Sequence, residues 1–140
     1  MGVIGINFWS FDASVEDRKI NGNININSVP TIENVKKKEV VMGGIKEVAS
    51  IEFKFITSYS PDIGSIKITG EILYQADDVK KIVSSWKDEK LNDKIVVDVL
   101  NAILKKCLAK SILIAEDLRL PPPLTFPVVK AEEKGGKDSE

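Results

Sequence analysis

The sequence predicts an α+β domain, a four-stranded antiparallel meander sheet packed by a long C-terminal helix. Three observations predict it. Most of the first half of the 140-residue chain alternates apolar and polar residues with a period of two, the period of a strand with one buried face. Turn signals separate the alternating runs. The second half changes to apolar spacings of three and four, the period of a helix lying on a core.

The first strand is read in INFWSFDASV, residues 6–15. Trp9, Phe11, Ala13 and Val15 share one parity, and Ile4, Ile6 and Phe8 share the other. Apolar residues of both parities predict a strand buried on two sides, or one whose second face meets another subunit. In KINGNININS, Asn21-Gly22 is the preferred pair for a tight hairpin turn, because both residues tolerate positive φ. Ile24 and Ile26 then alternate with Asn23, Asn25 and Asn27, giving a second strand with an uncharged polar face. Pro30 is expected to weaken its continuation, Lys36, Lys37 and Lys38 read as a solvated loop, and Gly43-Gly44 breaks the chain. ASIEFKFITSYS alternates cleanly, with Ile51, Phe53 and Phe55 on one face. PDIG, Pro61 to Gly64, is a turn, and SIKITGEILYQ resumes with Ile66, Ile68, Ile72 and Tyr74 on one face. Trp9, Phe11, Phe53, Phe55 and Tyr74 are core candidates, and any of them left exposed would form a binding patch.

Asp77 and Asp78 stand where a helix start favours acid, before the stripe Val79, Ile82, Val83 and Trp86. After a break at Leu91-Asn92-Asp93, a helix is predicted from Asp93 to about Leu118. Val96, Leu100, Ile103, Leu104, Cys107, Leu108, Ser111, Ile112, Ala115 and Leu118 form its stripe, and Ile95, Val99, Leu113 and Ile114 widen it enough to suggest two neighbours. Cys107 falls on the stripe and reads as a small buried hydrophobe.

Composition narrows the function classes. Apolar residues make up 43% and charged residues 29%, and 20 basic against 21 acidic residues leave a formal net charge of −1. Such a chain carries no global field favouring nucleic acid or an anionic membrane. A single cysteine excludes an intrachain disulfide. There is no histidine, which removes the commonest general acid–base and the commonest metal ligand together. No nucleotide-binding loop pattern occurs, and the pairs Asp77-Asp78 and Glu116-Asp117 read as helix-end chemistry, so neither catalytic residues nor a cofactor are expected. No apolar run reaches the length of a membrane span, the apolar N-terminus lacks the basic flank of a signal peptide, and a cytoplasmic protein is the expectation.

The segment LRLPPPLTFPVVK, Leu118 to Lys130, is apolar yet locked by prolines into extended backbone. Four strands, then helices, then a proline arm is an order that resembles the SecB-like family of secretion chaperones. In that family the segment after the long helix has the form RGTFPxLxLxPVNF. AEDLRLPPPLTFPVV, Ala115 to Val129, is similar to it, with Leu118, Pro121 or Pro122, Leu124 and Pro127-Val128-Val129 in corresponding positions. LNAILKKCLAKSIL resembles the family's cysteine-bearing helix. The charged helix ADDVKKIVSSWKDEK stands where the family has a small-residue stretch.

The resemblance implies an ATP-independent holdase that takes unfolded or nascent polypeptides into apolar grooves, as a homo-oligomeric dimer or tetramer. Residues 1–130 are then the domain, and the charged, glycine-containing AEEKGGKDSE, residues 131–140, reads as a disordered tail. Client-binding candidates are Trp9, Phe11, Leu118, Leu120, Leu124 and Phe126. No nucleic-acid partner and no membrane insertion are expected. The alternative is a non-catalytic adaptor of the same fold that binds one specific folded partner.

Overall fold

The computed structural model describes residues 2–16, 24–41, 43–88 and 90–123. Four strands precede two helices: β1 (Gly2–Val15), β2 (Asn25–Val41), β3 (Ile45–Ser60), β4 (Gly64–Gln75), α1 (Val79–Lys87) and α2 (Asp93–Asp117). The α+β class, the four-stranded antiparallel sheet and the long C-terminal helix are those the sequence predicts.

The order across the sheet is β1-β4-β3-β2. Only β2, β3 and β4 form a meander. β1 and β2 stand at opposite edges, so the hairpin predicted at Asn21-Gly22 joins no neighbouring strands, and the dipeptide itself lies outside the described residues. The physical reason is in the cross-strand pairs. Ile6, Phe11 and Ala13 of β1 lie opposite Ile72, Ile68 and Ile66 of β4, and these same-face contacts outweigh a local turn preference.

Two further expectations are corrected at β2. The strand continues through Pro30 to Val41, which an edge position allows because a proline there need not break a ladder on both sides. Lys36, Lys37 and Lys38 are strand residues, not a loop.

β3 buries every odd residue from Ala49 to Tyr59, and β4 buries Ile66, Ile68, Gly70, Ile72 and Tyr74 on the same side. Against this face α1 packs over β2 and β3, and α2 packs over β4 and β1. Their apolar residues and those of the strands make one core. α1 begins where the Asp78 carboxylate accepts the Lys81 backbone N–H at 3.1 Å, and α2 begins where the Asn92 side chain accepts that of Lys94 at 2.8 Å. The innermost row of α2 is Val99, Ile103, Cys107, Ser111 and Ala115, one residue every four. Cys107 is fully buried as expected, and burial pushes its thiol up to about 12. Gly70 is needed for space: a Cβ there would run into the Asn7 carbonyl and stand about 3.0 Å from the Phe53 ring.

The opposite face of the sheet is polar, but its centre is closed. Glu71 alternates with Gly70 and Ile72 and so points away from the helices, yet it is only 2% exposed. It accepts hydrogen bonds from Asn7 Nδ2 at 3.0 Å, Ser50 Oγ at 2.6 Å and Lys38 Nζ at 2.6 Å. One carboxylate thus ties together side chains from all four strands. Burial alone would push this carboxyl up. The Lys38 ammonium and the Ser50 and Asn7 donors outweigh it and hold the group below the ordinary carboxylate range. Glu52 lies directly opposite Glu71 on β3, and Lys36 answers it at 3.1 Å. Lys36 and Lys38 therefore neutralise two facing carboxylates, while Lys37 pairs with Glu47 at 3.0 Å.

Candidate binding surface

β1 is an edge strand, and among the described residues no strand pairs with its outer side. Its ladder with β4 shifts register at Ile4 and at Trp9, each an extra residue in a bulge. Ile6, Phe8 and Ala13 pack against the core, while Trp9 at the second bulge and Phe11 beyond it stay near the surface. Trp9 is 52% exposed and Phe11 is 48% exposed. An aromatic side chain carries about 150–250 Å² of buriable area, so the pair leaves about 200 Å² uncovered, about 5 kcal/mol of unused burial.

The aromatic residues form a short stack leading out of the core. Phe53 is buried, Phe8 meets it edge to face at 6.5 Å between centroids, and Phe11 lies 5.3 Å from Phe8. Lys110 of α2 holds its ammonium 5.6 Å from the Phe8 centroid, a cation–π contact that ties the helix to the strand. Toward the N-terminus of β1 a groove of about 520 Å³ opens between Val3–Ile6 and the helix residues Ala102, Lys105 and Lys106. Strand and helix run in the same direction here, residues 3–8 alongside residues 101–110.

Helical spacing aligns Ala102, Lys106, Lys110, Ile114 and Leu118 on the flank of α2 that faces β1. Leu118, half-buried, ends this row about 12 Å beyond Lys110. It caps α2. Arg119 follows with φ 58°, Leu120 N–H donates to the Ala115 carbonyl at 2.8 Å, and Arg119 N–H donates to that of Glu116 at 3.2 Å. This is a Schellman closure with an arginine where glycine is usual. It turns the chain so that Leu120 enters the core. The Tyr59 hydroxyl then fixes the start of the proline arm, donating to the Pro121 carbonyl at 2.7 Å.

The sequence-derived candidates are therefore distributed as follows. Trp9 and Phe11 are at the surface of the edge strand, and Leu118 stands at the end of the helix row that flanks it. Leu120 is corrected: it is 5% exposed and belongs to the core, because the Schellman turn carries it inward, so it anchors the arm and offers no surface. Leu124 and Phe126 lie outside the described residues. Phe8, Lys106 and Lys110 were not singled out from the sequence. The signal was there as two lysines four apart in a stretch of α2, residues 99–115, that holds no acidic residue. Among the described residues no three or more acidic or cysteine side chains are grouped to hold a metal ion, and no helix is long and apolar enough to cross a membrane.

No family model matches the chain, and no curated protein matches it. A solved structure that matches is the SecB-like chaperone of Mycobacterium tuberculosis in complex with a ChAD peptide from the HigA1 antitoxin. It is 12% identical, the match covers 94% of this chain and 91% of that one, and the TM-score is 0.45. The α+β fold of this protein rests on its own sheet and helices.

Proposed function

We propose that this protein is an ATP-independent holdase, a non-catalytic cytoplasmic protein that holds extended apolar segments of unfolded polypeptides along β1 and the adjoining flank of α2. The observation that carries the reading is an edge strand, with no strand on its outer side among the described residues, that holds Trp9 and Phe11 half out of the core. A monomeric domain gains nothing by leaving two aromatic residues beside an unpaired edge, whereas a client strand would cover both. Exchange is fast and sequence-tolerant, since burial supplies most of the affinity.

A second copy of the chain is part of the proposal. Val96, Leu100, Leu104, Leu108 and Ile112 recur every four residues on the flank of α2 turned away from β1, and all five are half-buried. A row of this kind suits a helix from another protomer, giving a dimer or tetramer.

The test is solution mass by light scattering, alone and with a reduced, unfolded model protein. The protein gains mass with the unfolded client and not with the same client folded, and Trp9→Ser/Phe11→Ser, still folded by circular dichroism, loses the gain. A saturable complex with one native protein, with no response to unfolded clients, would move the reading to an adaptor of the same fold.

A further inference from the structure

The wall of the β1 groove is cationic, and that says which apolar segments it prefers. From Asp98 to Glu116 helix α2 has no acidic residue between them and three lysines, Lys105, Lys106 and Lys110. All three are exposed, and among the described residues none has a carboxylate within ion-pair distance. A helix face that is merely solvated ordinarily interleaves acids with its lysines at spacings of three and four, and this one does not. The chain as a whole is slightly acidic, so the cluster is local and not part of a general positive surface.

The geometry sets the lysines beside apolar surface. Lys105 and Lys106 line the groove over Val3–Ile6, and Lys110 lies over Phe8, which stacks on Phe11. No carboxylate lines that groove among the described residues. Asp98, at one end of the same helix flank, is engaged by the Tyr74 hydroxyl at 3.3 Å. From Val3 to Phe11 the strand is roughly 26 Å long, room for about eight residues of extended chain. We infer that this groove selects extended peptide segments in which apolar and acidic residues alternate, the apolar side chains lying on β1 and the carboxylates reaching the three lysines.

This inference rests on the holdase reading and names the chemistry of its clients, and the experiment separates the two. Fluorescein-labelled peptides with one alternating apolar pattern would carry glutamate, glutamine or lysine at the polar positions. A fourth peptide would keep the glutamates and replace the apolar residues by serine. Binding is read by anisotropy at low and high salt. Exposed ion pairs contribute modestly each, so three of them make the acidic apolar peptide about tenfold tighter than the neutral one at low salt. High salt removes the difference. Lys105→Glu/Lys106→Glu/Lys110→Glu inverts the preference toward the lysine peptide, and Lys105→Gln/Lys106→Gln/Lys110→Gln abolishes it while neutral-peptide affinity stays. Equal affinity for the three apolar peptides would overturn the inference and leave the holdase standing. Equal affinity for the serine peptide would overturn it in favour of a simple polyanion site. Binding of no peptide and no unfolded protein would overturn both.

Discussion

Lys38→Met tests whether the Glu71 junction holds the sheet together. Methionine keeps the apolar stem and removes the ammonium that sits 2.6 Å from Glu71, a side chain 3% exposed, leaving Ser50 and Asn7 as its side-chain donors among the described residues. Hydrogen bonds to a charged group are worth about 1.5–3 kcal/mol, and stripping one partner from a fully buried pair costs about 3–5 kcal/mol. The Lys38 side chain is 41% exposed, so water reaches the ion pair from one side and the cost falls near the lower figure, about 2 kcal/mol. In a domain of this size that is a Tm lower by about 6 °C.

The pH dependence gives the sharper test. In the native chain Glu71 is held below the ordinary carboxylate range. The stability it contributes is present above the unfolded carboxyl value of about 4.3 and is lost as pH falls through the folded value. Burial pushes this carboxyl up, and without Lys38 the largest influence opposing it is gone, so the variant carboxyl lies higher than the native one and acid relieves part of the deficit. The deficit of the variant is therefore greatest near neutral pH and shrinks toward about pH 3. Urea unfolding followed by circular dichroism at several pH values measures it. A deficit under about 0.5 kcal/mol, or one that does not change with pH, would refute the reasoning.

Three other substitutions probe the scaffold, each read by chemical or thermal unfolding. Gly70→Ala drives a methyl into the Asn7 carbonyl and against the Phe53 ring, and is expected to lower stability by about 2–3 kcal/mol and loosen β1 from β4. Ser111→Ala removes a fully buried hydroxyl with no hydrogen-bond partner among the described residues, and is expected to raise stability by about 1 kcal/mol. Arg119→Gly places glycine at the left-handed position of the α2 closure and is expected to raise stability by about 0.5–1 kcal/mol, with no change in client binding.

What was legible in the sequence follows from which interactions are local. Ile51, Phe53 and Phe55 alternate within one strand, and Asp78 stands three residues before the amide it caps, so both features could be read from a short window. The long spacing pattern of α2 fixed its span to within a residue of Asp93–Asp117. Strand order is not local: Asn21-Gly22 signals a turn, but the match of Ile6, Phe11 and Ala13 with Ile72, Ile68 and Ile66 decides where β1 lies. The lysine run at 36–38 looked like a loop because the carboxylates that answer it are Glu52 and Glu71, far along the chain. Trp9 and Phe11 read as core aromatics from their type and as client candidates only through the family resemblance, and the structure leaves them half exposed, while Leu120 was misplaced because a Schellman turn with arginine in place of glycine gives no composition signal. The lysine wall of the groove escaped notice because its meaning depends on Phe8 and Val3–Ile6 lying next to it in space.

The central claim is that clients lie along β1. Hydrogen exchange of the backbone amides, with and without a saturating unfolded client, tests it most directly. The account predicts added protection in β1 from Val3 to Phe11 and in α2 over residues 101–110, and little change in β2. Protection confined to the β2 edge, or none anywhere while the client is bound, would contradict it.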